Sequence, residues 1–131
     1  MTYILDADWA INALAAHAAA SSTLNRLAPR GIAIAWLTVC EIYEGAFRSA
    51  NPSEYLRRYR EFLHPFRRLP VTDPIAERFA ELRTFLRRRG QLISDFDTML
   101  AATALEHDFT VLTYNVDDFK RIADLRLYQP S

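Results

Sequence analysis

The sequence contains little glycine and only one cysteine, and each shortage excludes a class of protein. The three glycines, Gly31, Gly45 and Gly90, are too scattered to form a glycine-rich phosphate loop. P-loop and dinucleotide-binding proteins are therefore excluded. Cys40 stands alone, so the chain has no intrachain disulfide, which is compatible with a reducing compartment. We expect a cytoplasmic protein.

Long apolar runs are also missing. No stretch approaches the 18 consecutive apolar residues of a transmembrane helix, so a membrane span is excluded. The chain reaches Asp6 without the basic segment and hydrophobic run of a secretory signal. Half of the 131 residues are hydrophobic, which is enough for the core of one domain. We predict a single domain over residues 1–131.

The net charge is zero, but the charges are unevenly distributed. Eleven of the fifteen arginines lie between Arg48 and Arg89, and seven of the sixteen acids follow Gln91. This polarity could guide a phosphate backbone toward an acidic centre. Solvated helix faces would explain the arginines equally well, because helices carry charges outward in any case.

Strand and helix patterns alternate along the chain. Short β-rich runs predict strands at residues 2–5, 32–36, 69–71 and 110–113, with a further strand at 126–128. Helical periodicity and start signals predict helices at 9–17, up to 27, 38–47, from 52, 73–90, 96–107 and 118–122. Such alternation indicates an α/β fold, an open parallel sheet with helices on both faces.

Several acids follow predicted strands directly. Asp6 and Asp8 come after the first strand, and Asp117 and Asp118 come shortly after the strand at 110–113. Open parallel sheets place their working site beyond the carboxyl ends of the strands. We therefore expect these acids to border the site, although each pair could also serve only in a turn or a helix cap.

Two further acids lie near predicted helix starts. Thr38 with Glu41, and Ser94 with Asp97, match the capping box, in which the acid has a purely structural role. However, Asp97 precedes residues 99–105, which are apolar on nearly all sides of the helix. Acids on buried helices are rare unless they are paired or bind a metal.

Several carboxylates in one cleft would repel each other, by on the order of 3 kcal/mol per pair at about 5 Å. A divalent cation removes that penalty. Carboxylate oxygens favour Mg²⁺, with Mn²⁺ as a substitute, and isolated histidines and a single cysteine disfavour zinc. A carboxylate-held metal that keeps several waters suits phosphodiester hydrolysis.

Four blocks of sequence resemble those of PIN-domain ribonucleases, above all the VapC-type toxins of bacterial toxin–antitoxin pairs. They are ILDAD at 4–8, TVCEIYEG at 38–45, DFDTMLAATA at 95–104 and LTYNVDDF at 112–119. The resemblance covers essentially the whole chain, and the blocks occur in the family's order. It implies a PIN-like parallel sheet, a homodimer, magnesium, RNA cleavage and inhibition by a VapB-like antitoxin.

The resemblance also assigns catalytic residues. The family's three firm acids, which hold the metal, fall on Asp6, Glu41 and Asp97. Its variable fourth position falls on Asp118 or on Asn115, and the sequence leaves that choice open.

Three residues are predicted to support these acids. Asp8 replaces the asparagine or serine more usual in the family and adds charge to the cleft. Asp95 recurs in the family as a supporting acid, and Thr113 would place a hydroxyl near the site.

Two alternatives remain. Asp6-Ala7-Asp8 after a hydrophobic strand echoes haloacid-dehalogenase-type phosphatases, but the only lysine, Lys120, follows the Asp117-Asp118 pair where that family needs a lysine before it. A catalytically inactive RNA- or protein-binding module of the same fold is the other alternative. Intact acids at the three firm positions argue against it.

Overall fold

The computed structural model describes residues 2–15 and 18–129. Within them, four short strands form one sheet in the order β3-β2-β1-β4, and every neighbouring pair is parallel. The strands are β1 (Tyr3–Leu5), β2 (Ile32–Ala35), β3 (Arg67–Leu69) and β4 (Thr110–Leu112). The predicted parallel α/β fold is confirmed, and it forms a single domain.

Seven α-helices connect or follow the strands in the described residues. They are α1 (Ala7–Leu14), α2 (Ala18–Leu27), α3 (Trp36–Phe47), α4 (Pro52–Leu63), α5 (Asp73–Arg88), α6 (Asp95–His107) and α7 (Val116–Phe119). A 3₁₀ turn at Ala28–Arg30 joins α2 to β2. None of these helices is long and apolar enough to cross a bilayer.

Successive side chains of a strand point to opposite faces of the sheet. Both faces carry buried apolar side chains, and helices cover both. Leu5 and Ile34 face a core built with α1, α2, α3 and α4. Ile4 and Ala33 face a second core built with α5, α6 and α7. Three aromatic residues of α4, Tyr55, Tyr59 and Phe62, belong to the first core, where Tyr59 is buried.

Helix α6 is the most buried helix of the second core and determines where Asp97 lies. Ser94 caps it as predicted: its hydroxyl accepts a hydrogen bond of 3.1 Å from the Asp97 backbone N–H. Six of its thirteen residues are buried. Asp97 lies in the first turn, where the partial positive charge of the helix N-terminus favours a carboxylate.

Several predicted boundaries were wrong. Helix α3 begins at Trp36, after Ala35, so Thr38 is a buried residue inside the helix and not its cap. Strand β3 lies at Arg67–Leu69, because its register is set by pairing with Ala33 and Ala35.

The C-terminal region also differs from the prediction. Helix α7 begins at Val116. At 126–128 a single parallel bridge between Leu127 and Val111 replaces the predicted strand. The first predicted helix ends at Leu14, and its predicted end at His17 lies outside the described residues.

Candidate active site

Asp6 lies at the carboxyl edge of the sheet, directly after the central strand β1. Its carboxylate accepts two hydrogen bonds of 2.7 Å, from the Ala7 backbone N–H and from the Thr113 hydroxyl. Thr113 follows β4, the strand next to β1. Parallel pairing therefore brings these two strand ends together, and Asp6 is only 5% exposed.

Asp8 lies one residue into α1 and reaches the same strand end. One of its oxygens, Oδ2, accepts a hydrogen bond of 3.1 Å from the Tyr114 backbone N–H and lies 3.4 Å from the Thr113 hydroxyl. A hydroxyl has one proton, and the shorter contact with Asp6 takes it. The other oxygen, Oδ1, is buried and has no hydrogen-bond partner among the described residues.

Asn115 connects two further acids, Asp97 and Asp118, by hydrogen bonds. Its side-chain amide donates one hydrogen bond to Asp97 and one to Asp118, each of 3.1 Å. Its backbone N–H donates to the Thr113 hydroxyl at 2.9 Å. The sequence leaves open whether Asn115 or Asp118 occupies the fourth position, and the two side chains lie in direct contact beside Asp97.

Glu41 projects toward the same acids from α3. Because α3 begins at Trp36, Glu41 lies in its second turn, and the predicted capping role is wrong. The carboxylate is half-buried and makes no hydrogen bond or ion pair within residues 2–15 and 18–129. It nevertheless lies close enough to Asp6 and Asp97 for their charges to raise its pKa.

We call four of these acids the acidic cluster: Asp6, Asp8, Glu41 and Asp97. Their pKa values are raised because burial and mutual repulsion disfavour their charged forms. Burial, then repulsion from Asp8, raises the pKa of Asp6 to about 7. Burial, then repulsion from Asp6 and Asp97, raises the pKa of Glu41 to about 7. Burial is also the main cause of the raised pKa values of Asp8 and Asp97.

No basic side chain offsets this repulsion. In the described part of the chain, none of the four acids forms an ion pair, and Asp118 beside them pairs with Arg121 at 3.6 Å. Within residues 2–15 and 18–129, no three acidic, histidine or cysteine side chains are grouped closely enough to hold a metal ion by themselves. A cation at this cluster would therefore keep several water ligands, as Mg²⁺ does in proteins.

Two predicted residues lie outside the cluster. Asp95 turns away and forms an ion pair of 2.8 Å with Arg83. Asp117 is exposed and pairs with Lys120. Among the described residues, neither contacts the acidic cluster, although Asp95 and Asp117 are close in sequence to Asp97 and Asp118.

The sequence analysis missed an aromatic pair beside the cluster. The rings of Trp9 and Tyr114 stack in parallel, with centroids 4.4 Å apart and an angle of 4° between planes. In the sequence, Trp9 directly follows Asp8, and Tyr114 directly follows Thr113. The sequence does place one aromatic residue shortly after β1 and one shortly after β4, and this pattern could have predicted the pair.

Comparison with known families identifies this arrangement of strands and acids. A family model described as PIN domain matches residues 3–125. The chain belongs to the PIN domain family. The match covers all four strands and every residue of the acidic cluster, together with Asn115 and Asp118.

Individual PIN proteins are similar over almost the full chain. Ribonuclease VapC2 of Rickettsia felis is 28% identical, with 97% of this chain and 96% of that protein covered. VapBC2 from Rickettsia felis, solved bound to a DNA fragment from its promoter, has a TM-score of 0.91 and 27% identity, with 98% of each chain covered.

A second solved structure agrees with the first. VapBC-1 from nontypeable Haemophilus influenzae has a TM-score of 0.87 and 25% identity, covering 98% of this chain and 97% of that one. The resemblance to VapC-type PIN-domain ribonucleases that the sequence blocks indicated is therefore confirmed. The comparisons favour neither the phosphatase nor the inactive module.

Proposed function

We propose that this protein is an Mg²⁺-dependent endoribonuclease that acts as the toxin of a VapBC-type toxin–antitoxin pair. One observation carries the proposal: Asp6, Glu41 and Asp97 come from three distant parts of the chain, repel each other at one sheet edge and have no basic partner there. Membership of the PIN domain family and similarity to proteins named ribonucleases support the same activity.

The donor chemistry of the cluster fits magnesium. The available donors are carboxylate oxygens, and the buried Oδ1 of Asp8 has no protein partner in the described residues. Asp6, Glu41 and Asp97 would hold the ion, directly or through water. When bound, Mg²⁺ would lower the pKa of a coordinated water and screen negative charge on the phosphate. Mn²⁺ would substitute, because it accepts the same oxygen ligands.

The protein's own groups orient this chemistry. The Thr113 hydroxyl and the Ala7 N–H fix the carboxylate of Asp6, and Asn115 holds Asp97 beside Asp118. Asp118 would position the attacking water. In the reaction, water oxygen bonds to phosphorus, the P–O3′ bond breaks and the 3′-oxygen takes a proton. The products carry a 5′-phosphate and a 3′-hydroxyl.

The test is RNA cleavage with Mg²⁺ by wild type and by Asp6→Asn, Glu41→Gln and Asp97→Asn. Each substitution keeps the size of the side chain and removes its charge. We expect RNA cleavage by wild type and a loss on the order of 100-fold in each variant. Full activity in all three variants would refute the assignment of these acids, and intact RNA with wild type would refute the activity.

A VapB-like antitoxin is the proposed protein partner. The solved relatives are VapBC proteins, and an open, mainly apolar cavity of about 580 Å³ lies among α1, α2 and the end of α4. Leu14, Leu24 and Phe66 are among its lining residues. The expected partner is a short protein encoded directly beside this gene. Co-expression should yield a stable complex without RNA cleavage, and separate elution of the two proteins would contradict the proposal.

We also propose a homodimer. Trp36, Cys40 and Phe47 share one exposed face of α3, where Phe47 is 66% exposed. Large apolar side chains grouped on a surface are typical of interfaces. Light scattering should give twice the monomer mass for wild type and the monomer mass for Phe47→Glu. A monomeric wild type would refute the dimer.

A further inference from the structure

Tyr114 is the more exposed residue of the aromatic pair beside the acidic cluster. Its side chain is 47% exposed, whereas Trp9 is 5% exposed. Its backbone N–H donates to Asp8, and the preceding residue, Thr113, donates to Asp6. Tyr114 is therefore connected to the acidic cluster directly through Asp8, and through Thr113 to Asp6.

Trp9 fixes the orientation of the Tyr114 ring. The indole N–H of Trp9 reaches the Ala20 carbonyl at 3.4 Å, and the ring of Tyr128 packs edge-on against it at 5.9 Å. Because Trp9 is buried and held from these sides, the parallel stack sets the plane of Tyr114. One face of the Tyr114 ring is covered by the indole, so its exposure belongs to the opposite face and the edge.

An aromatic ring held in one plane with a solvent-facing side is the arrangement on which an unpaired nucleobase stacks. We propose that the outer face of Tyr114 is a nucleobase subsite, which binds an unpaired base of the RNA next to the phosphodiester at the acidic cluster. This inference rests on the proposed ribonuclease function and adds to it one contact that selects single-stranded RNA. In a duplex, stacking on the neighbouring base pairs would cover the face of the base that Tyr114 requires.

A purely structural role for Tyr114, as a cover over Trp9, predicts different behaviour. Leucine at position 114 would still cover the indole but would offer no aromatic face. Phenylalanine would keep the ring and lose only the hydroxyl. Tyr114→Leu and Tyr114→Phe therefore separate stacking from covering. Phe85→Ala is the matched control, because Phe85 lies on α5 and is 46% exposed, as Tyr114 is.

The experiment measures binding of a short fluorescein-labelled single-stranded RNA in the Glu41→Gln background, where we expect RNA cleavage to be on the order of 100-fold slower. An abasic nucleotide replaces each position in turn. With Tyr114 present, one abasic position should weaken binding about tenfold, the size of one base–aromatic stack. Tyr114→Leu should abolish that dependence on position, and Tyr114→Phe and Phe85→Ala should retain it. The same abasic profile in Tyr114→Leu would overturn the subsite.

Cleavage by the protein with Glu41 intact separates this inference from the proposed function. A base-dependent profile that needs an aromatic residue at 114, without RNA cleavage, would refute the ribonuclease and leave the subsite standing. RNA cleavage together with an abasic profile that does not depend on residue 114 would refute the subsite and leave the ribonuclease standing. Absence of both RNA binding and cleavage would overturn both.

Discussion

Two sets of acids in this protein differ in their burial and in their partners. On the exposed surfaces of α4 and α6, acids have arginine partners: Glu61 pairs with Arg57, Asp95 with Arg83 and Glu106 with Arg78, at 2.8–3.1 Å. At the carboxyl edge of the sheet, the four acids of the acidic cluster are more buried and have no such partner in the described residues.

This difference is the reverse of what stability alone would favour. An exposed ion pair contributes little, about 0–1 kcal/mol, whereas an unpaired buried charge is expensive. In the described residues the acidic cluster leaves buried carboxylates without a compensating charge, while Arg57, Arg78 and Arg83 pair with acids on the surface. Such an arrangement is expected where the compensating charge comes from outside the protein. A hard cation is the compensating charge that four carboxylates would select.

The largest effect should come from Glu41→Gln. This change removes one of the mutually repelling charges without breaking a hydrogen bond. We expect RNA cleavage to fall on the order of 100-fold, while the melting temperature without divalent ions rises at about pH 8. Glu44→Gln is the control, one turn further along α3 and exposed. Equal loss of activity in both variants would remove the distinction between the two groups of acids.

The stability of the metal-free protein should depend on pH in an unusual direction. The pKa values of Asp6 and Glu41 are about 7 in the fold, against 3.8 and 4.5 ordinarily. Between about pH 4 and pH 7 the folded state therefore holds protons that the unfolded chain has released. The free energy of unfolding must fall as the pH rises through this window.

Thermal unfolding in EDTA should consequently give a higher melting temperature at about pH 5 than at about pH 8. The double variant Asp6→Asn/Glu41→Gln should show a smaller difference between the two conditions. A wild-type melting temperature that increases from pH 5 to pH 8 would contradict the repulsion described for the cluster.

A smaller effect is expected for Thr113→Val. The change removes the hydroxyl that donates to Asp6 and accepts from the Asn115 backbone N–H, leaving two polar groups without a partner. The free energy of unfolding at neutral pH should fall by about 1–3 kcal/mol. In Thr103→Val, the control, the lost hydroxyl donates to the Met99 carbonyl within α6, and urea denaturation should show a smaller change. Equal decreases in the free energy of unfolding for the two variants would show that the Thr113 hydroxyl contributes no more than an ordinary helical threonine.

The smallest effect is expected for Asp95→Asn. Asp95 forms a largely exposed ion pair with Arg83, so the free energy of unfolding should change by less than about 1 kcal/mol. RNA cleavage should stay within about twofold of wild type, because the paired carboxylate points away from the acidic cluster. A loss comparable with that of Asp97→Asn would place Asp95 among the acting groups and blur the comparison.

Much of this fold could be predicted because local signals agree with tertiary packing. The apolar runs of β1, β2 and β4, the Ser94 cap and Pro52 at the start of α4 were all assigned correctly from the sequence. The rule that parallel sheets place their site beyond the carboxyl ends of the strands pointed to Asp6 and Asp8. Asp97 was assigned from the apolar helix that follows it and from the family resemblance.

The errors have physical causes that the sequence does not display. Thr38 and Glu41 fit a capping box, but a helix can begin earlier without a side-chain cap, and α3 does so after Ala35. Strand β3 is placed by pairing with β2, not by the hydrophobicity of Leu69 and Val71. The contacts of Asn115 and the stacking of Tyr114 depend on side-chain geometry between elements, which no spacing rule supplies.

Calorimetric titration with Mg²⁺ tests the central claim most directly, because it asks whether the unpaired acids at the sheet edge form a cation site. The titration is made just below pH 7, near the raised pKa values of Asp6 and Glu41, in two buffers with different ionisation enthalpies. We predict saturable binding with release of protons, since the ion displaces them from the carboxyls, and binding at least about tenfold weaker in Asp97→Asn. Unchanged binding in Asp6→Asn and Asp97→Asn, or no saturable binding to wild type, would contradict the account.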